Sequence, residues 1–232
     1  MSSAATLAVI IPPSIPIILY AVMADTSVVK MFVAGIVPGI LGGLSLMGMA
    51  YWFARRYNLP REEAFRWSRV WRTFKEAFWA FTLPLIILGA IFGGLVTATE
   101  GAALAVLAAL FIGLVVYREL NLAHLRTAMI EGGLQTAVVM LLVASSALLG
   151  AYLTEIQAPQ DLAKAVSDLT TNKYFVLALL NVVFLLLGMF LHSAAAIILV
   201  VPVVMPLVTS VGIDPVHFGL IVTINLGIGQ QT

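Results

Sequence analysis

Residues 181–232 read NVVFLLLGMFLHSAAAIILVVPVVMPLVTSVGIDPVHFGLIVTINLGIGQQT. The stretch is almost wholly apolar, yet Gly188, Gly212, Gly219, Gly227 and Gly229, three prolines (Pro202, Pro206 and Pro215) and a lone His192 punctuate it. A helix broken at hydrocarbon depth frees backbone N–H and C=O groups that lipid cannot satisfy. They must be buried in protein, or face a water-filled cavity or an ion. Discontinuous helices of this kind mark the binding sites of secondary transporters. Taken singly, each Gly or Pro is better read as a packing residue, because small residues let membrane helices approach closely. Two successive interruptions, at GMFLHS (188–193) and NLGIGQQT (225–232), are what packing alone does not predict.

The rest of the composition agrees with this reading. Hydrophobic residues make up 62% of the chain and charged residues only 10%, and the mean hydropathy is +1.08. Soluble domains carry about 25% charged residues, and several stretches here reach the roughly 20 apolar residues that span a bilayer. The fold class expected is an all-α polytopic membrane protein, with residues 1–232 as one membrane-embedded domain. There is no cysteine, so disulfides, thiolate metal sites and cysteine nucleophiles are excluded.

Seven of the twelve basic residues fall at Arg55, Arg56, Arg61, Arg66, Arg69, Arg72 and Lys75. By the positive-inside rule, residues 55–77 form a cytoplasmic loop. Flanking spans make nucleic-acid binding a poor explanation of these charges. Within the loop Trp67, Val70, Trp71, Phe74 and Phe78 recur at helical spacing and make one aromatic face. The spacing predicts an amphipathic helix over 61–77 lying in the bilayer interface.

Before that loop, Pro12, Pro13 and Pro16 interrupt the apolar residues 7–24 and predict a broken or re-entrant segment. Residues 31–54 form a cleaner span. Beyond the loop, apolar stretches over 78–96 and 102–117 are joined by TATEG, in which Thr97 and Glu100 fit a T-x-x-E capping box. A carboxylate near membrane depth also marks an ion or substrate pathway, and the two roles are compatible. Residues 118–133 read as a second cytoplasmic stretch, 134–153 as a span, 154–173 as periplasmic, and 174–191 as a return into the membrane. Asp214 and Pro215 suit the N-cap and first position of a helix. The breaks at IIPPSIP (10–16) and GIGQQT (227–232) echo one another weakly, as in an inverted-repeat transporter. No secretory signal pattern opens the sequence, and the apolar end at Thr232 reads as an interruption of a longer protein.

Several motifs in order, IIPPSIPIILY with VAGIVPG, LPLIILGAIFGGLVTATEGAALAV, LLLGMFLHSAAAIILVVPVVMPL and GIDPVHFGLIVTINLGIGQQT, resemble the large permease (M, DctM-like) subunit of tripartite ATP-independent periplasmic (TRAP) transporters. The resemblance runs from about Thr6 to Thr232 and covers a C-terminal portion of that subunit. It implies an elevator-type, sodium-coupled importer in the bacterial inner membrane. The importer would work with a small membrane (Q) subunit and a periplasmic binding protein that delivers a carboxylate, either a C4-dicarboxylate or another organic or sugar acid. It implies a sodium site at Gly188, Gly229 and Thr232, with sodium as coupling ion and no cofactor. This agrees with the residues themselves, since unwound carbonyls and a Thr hydroxyl are hard oxygen ligands. The candidate substrate or ion pathway comprises Pro12, Pro13, Ser14, Thr97, Thr99, Glu100, His192 and Gly227.

The chain departs from the family pattern in three ways. Ala98 stands where the family has proline in TPTEA. His192 stands where many members have an acid, as a neutral hydrogen-bonding group, a cation near a carboxylate or a packed interhelical histidine. A first half and a closing Pro-Pro are missing. The competing readings are a truncated, non-transporting scaffold and a membrane-embedded enzyme. Against an enzyme, no HExxH or GxSxG motif is present among His124, His192 and His217, Asp214 and Glu100.

Overall fold

The computed structural model describes residues 2–58, 66–169 and 172–231. Ten α-helices account for most of them: α1 (Ser2–Ile10), α2 (Ile15–Met23), α3 (Val28–Arg56), α4 (Trp67–Phe92), α5 (Ala98–Phe111), α6 (Leu122–Glu155), α7 (Ala158–Leu169), α8 (Lys173–Phe190), α9 (Ser193–Ser210) and α10 (Pro215–Gly229). A short π-helical stretch, Ile112–Val116, continues α5. Among the described residues there is no strand, and seven helical stretches are long and apolar enough to cross a membrane. The all-α polytopic architecture read from composition is therefore present.

The chain divides into two compact units, Met1–Leu46 with Gln135–Thr232, and Met47–Leu134. In the first unit the core lies among α2, α8, α9 and α10, around the fully buried Ile17, Tyr20, Phe184, Ile197, Phe218 and Leu226. Tyr20 and Phe184 each meet the Phe218 ring edge-on, with centroids 6.3 and 5.8 Å apart. Edge-to-face pairs of this kind add to the gain from area burial. Gly219 leaves room for the Tyr20 ring against α10, and the Tyr20 hydroxyl donates to the Pro215 carbonyl at 2.7 Å.

Prolines shape the local structure in this unit. The expected break in residues 7–24 is present: α1 stops at Ile10 and α2 starts at Ile15. Pro13 cannot donate to the Val9 carbonyl one turn back. The Ser14 hydroxyl, 2% exposed, donates to it instead at 2.5 Å. The same device recurs in α9. Pro202 removes the donor to the Ile198 carbonyl, and Ser146 of α6 supplies one at 2.5 Å. At the end of α9 the left-handed Gly212 (φ 71°) lets the Ile213 amide return to the Val208 carbonyl at 3.1 Å, a Schellman-type close.

In the second unit, α4 and α5 form an antiparallel pair. Gly101 of α5 sits against Ile91, where an added Cβ would come within 3.0 Å of its Cδ1. The Tyr117 hydroxyl reaches back to the Glu76 carbonyl at 2.8 Å.

Two boundaries differ from the expectation. Among the described residues of 61–77, no separate interfacial helix precedes a span at 78. Trp67–Phe92 is one helix, because the aromatic period runs into the apolar run without a cap or breaker between them. Arg61 of that stretch lies outside the described residues. Likewise the polar 118–133 and the span 134–153 merge from Leu122 into the single helix α6. Gly132 and Gly133 do not stop it, since each glycine costs only about 1 kcal/mol in a helix and the rest of its 34 residues carry the ladder.

Candidate functional site

The polar and small residues of the apolar run converge where α8 crosses α10. Gly188 and Gly229 face one another across the crossing. A Cβ on Gly188 would lie 3.1 Å from the Gly229 Cα and from the Leu226 carbonyl oxygen, and a Cβ on Gly229 would lie 2.7 Å from the Leu185 carbonyl oxygen. Backbone meets backbone, so neither position has space for a side chain. Two of the three residues expected at a sodium site are thus adjacent. The third, Thr232, lies outside the described residues.

The interruption after Gly188 is also where the sequence put it. α8 ends at Phe190, Leu191 is extended (φ −118°, ψ 140°), and α9 starts at Ser193. The Leu187 carbonyl accepts from the Leu191 amide at 2.8 Å. The last-turn carbonyls after it, beginning with Gly188, lie beyond the intrahelical ladder. His192 is the N-cap of α9, its Nδ1 accepting from the Ala194 amide at 3.4 Å. It is exposed rather than packed between helices. Next to it Ser193 is 1% exposed, and its hydroxyl is buried without a partner among the described residues. A buried hydroxyl left unpaired costs about 1–3 kcal/mol, which makes it a conspicuous orphan at a helix break.

Gly227 serves another contact. Its carbonyl accepts from the Thr6 hydroxyl of α1 at 3.4 Å, and a Cβ there would meet Thr6 Cγ2 at 2.8 Å. Pro12, Pro13 and Ser14 form the α1–α2 break in this same unit; Pro12 and Ser14 are buried, and Pro13 is exposed. A cleft of about 340 Å³ opens between α1, α3 and α10, lined by Thr6, Ile10, Pro38, Ser45, Ile228 and Gln231 among others. None of the described candidate residues lines it.

Thr97, Thr99 and Glu100 belong to the second unit. The capping box is complete there: the Thr97 amide and hydroxyl donate to Glu100 Oε2 at 2.7 and 2.9 Å, and the Glu100 amide donates to the Thr97 hydroxyl at 3.3 Å. Thr97, Thr99 and Glu100 are all exposed. At the head of α10, Asp214 is the N-cap, accepting from the His217 amide at 2.9 Å, and Pro215 follows it at the first position.

One pair escaped the sequence reading. Asn225 of α10 donates to Asn181 Oδ1 of α8 at 2.6 Å, and Asn181 Nδ2 donates to the Leu177 carbonyl at 2.8 Å. Asn225 is 6% exposed. The signal was available. Asn181 precedes Gly188 by seven residues and Asn225 precedes Gly229 by four, so each amide shares a helix face with its glycine. Side-chain amides are among the groups that hydrogen-bond across membrane helices.

The family model "Tripartite ATP-independent periplasmic transporter, DctM component" matches residues 1–232. The isethionate TRAP transporter permease protein DctMQ of Oleidesulfovibrio alaskensis is 39% identical over 236 residues, covering 100% of this chain and 37% of that protein. The C4-dicarboxylate TRAP transporter large permease protein DctM of Pseudomonas aeruginosa is 37% identical, over 99% of this chain and 54% of that protein. The sialic acid TRAP transporter large permease protein SiaM of Vibrio cholerae is 38% identical, over 96% of this chain and 52% of that protein. The chain therefore spans about half the length, or less, of these relatives. Through the match over its whole extent, this chain belongs to the DctM component family of tripartite ATP-independent periplasmic transporters.

Proposed function

We propose that the chain is part of the membrane subunit of a sodium-coupled secondary transporter. It would import an acid-bearing substrate that a periplasmic binding protein delivers, together with a small membrane subunit, in the bacterial inner membrane. The observation that carries this reading is the clustering of interrupted helices in one unit. Residues 11–14 and residues 191–192 break apolar segments, and the elements around them pack together with α10, whose Gly229 faces Gly188. Discontinuous helices supply carbonyls to a cation and N-terminal amides to an anion, which is the division of labour that symport requires.

The residues present suit a sodium ion. Oxygen ligands are what a hard cation takes. The Gly188 carbonyl at the end of α8 and the orphan hydroxyl of Ser193, five residues on, are the oxygens we assign to it. Thr232 would add a second hydroxyl. The substrate class rests on the relatives, whose names give isethionate, C4-dicarboxylate, 2,3-diketo-L-gulonate and sialic acid, all acids. Transport requires no bond to be made or broken, and the proposed role is not that of an enzyme.

The test is uptake by the complete permease reconstituted with its small subunit and binding protein. Thr232→Val should raise the sodium concentration giving half-maximal uptake by about tenfold, the equivalent of losing one ligand worth about 1.4 kcal/mol. Sodium dependence identical to that of the unsubstituted protein would sink the assignment. Uptake driven equally well without any sodium gradient would sink the coupling itself.

A further inference from the structure

We infer that the end of α3 and the start of α4 form a binding surface for anionic phospholipid headgroups. Three of the four tryptophans of the chain, Trp52, Trp67 and Trp71, lie on these two helix ends, and Trp79 stands halfway along α4. They are 44–69% exposed, so the second unit itself leaves them uncovered. Trp71 stacks on Phe74 with centroids 5.8 Å apart, and Phe74 meets Phe78 and Phe81, each at 6.1 Å. The result is a continuous aromatic stripe along the outer face of α4.

Cations are mounted on this aromatic surface at one-turn spacing. Arg55 lies 5.3 Å from the Tyr51 ring centroid, and its Nε and Nη2 donate to the Tyr51 hydroxyl at 3.1 and 2.8 Å. The Arg56 guanidinium is 5.5 Å from the Trp52 ring, and Lys75 Nζ is 5.7 Å from the Trp71 ring. An aromatic face holds each cation's stem along the helix and leaves its head at the surface. Among the described residues, Arg56, Arg72 and Lys75 form no ion pair. Over residues 47–81 there are seven basic residues against Glu62, Glu63 and Glu76.

Charge and length together favour lipid as the occupant. At 29 and 26 residues, α3 and α4 are about 43 and 39 Å long, against a hydrocarbon core of about 30 Å. The excess carries the aromatic and basic ends into the headgroup layer. Aromatic residues concentrate there, and clustered Lys/Arg beside a span read as an anionic-lipid site. The ends are joined by residues 57–66, whose Arg61, Glu62, Glu63 and Arg66 the hydrocarbon core would not accept, so they emerge on the same leaflet. A protein partner would need a matching set of carboxylates, whereas a leaflet containing phosphatidylglycerol supplies phosphates throughout.

The experiment uses the complete permease in nanodiscs of equal dioleoyl phosphatidylglycerol and dioleoyl phosphatidylcholine. Retained lipid is measured by mass spectrometry after detergent extraction. Phosphatidylglycerol should be retained severalfold over phosphatidylcholine, and Arg56→Gln or Lys75→Gln should each weaken that preference by about fivefold. Half-molar salt should erase most of the preference in the unsubstituted protein, a readout that does not depend on the variants folding. Retention in bilayer proportions, or a preference indifferent to both substitutions and to salt, overturns the inference. So does displacement of the lipid by millimolar inorganic phosphate, which would indicate an ion site instead. None of these outcomes bears on sodium-dependent uptake, so this inference and the transport proposal can fail separately.

Discussion

Gly188 and Gly229 are constrained by backbone on both sides of the α8–α10 crossing. Each closes a space in which a methyl group would strike backbone rather than a side chain that could turn away. Gly188→Ala or Gly229→Ala should therefore force α8 and α10 apart and destabilise the permease by about 1–3 kcal/mol, the usual cost of overpacking. Gly150→Ala, where nothing lies within 4 Å, should be neutral or stabilising by up to about 1 kcal/mol. Thermal unfolding of the three variants in detergent checks the contrast, and equal shifts would remove the packing argument. A packing role does not compete with the proposed ligand role, because ligation would use carbonyl oxygens and packing uses the missing side chains. The glycines were legible in the sequence as interruptions. The asparagines beside them were not read as partners, because a lone amide in an apolar run gives no indication of what it faces. Only the helix pairing brings Asn181 to Asn225.

At the scale of the element, serine hydroxyls repair what proline removes. Ser146 donates to the Ile198 carbonyl because Pro202 cannot, so the two residues should be energetically coupled. Ser146→Ala alone should cost about 1–2 kcal/mol by stranding a buried carbonyl. In a Pro202→Ala background, where residue 202 regains an amide, the same substitution should cost markedly less. A double-mutant cycle measured by unfolding reads the difference, and additive effects would refute the coupling. The capping box makes a second prediction. Thr97→Val removes both the side-chain acceptor and a donor to Glu100, and should cost about 1 kcal/mol at the start of α5. Local hydrogen exchange over 98–104 would report it as faster amide exchange. Caps and breaks were legible because they depend on residues three or four apart. The continuity of α4 and of α6 was not. A charged stretch invites a loop assignment, and only the completed ladder shows the helix running on through it.

For the whole molecule, composition sufficed to identify an all-α membrane protein, and ordered motifs sufficed to identify the family. What composition could not supply was the division into two units, because that depends on which helices pack together. The site residues expected from sequence fall accordingly into two groups. Gly188, Gly227, Gly229, His192 and the Pro12–Pro13–Ser14 break belong to one unit, and Thr97, Thr99 and Glu100 to the other. Topology within the second unit is testable, because the chain has no native cysteine. A single cysteine introduced at Asn58 or Asn121 should react with a membrane-impermeant maleimide only from the cytoplasmic face, and one at Leu95 only from the opposite face. Labelling of Leu95→Cys and Asn58→Cys from the same side would exclude α4 as a span.

The repaired carbonyl in α9 also bears on movement. Pro202 and Pro206 are four residues apart, so the carbonyls they deprive, those of Ile198 and Pro202, sit about one turn apart, about 6 Å along the helix. Sliding α6 along α9 by a fraction of that distance takes the Ser146 hydroxyl off one acceptor before it reaches another. A full turn brings it within range of the second. A glide between these helices would thus be notched, with the Ser146 hydroxyl passing between two acceptors spaced by the two prolines.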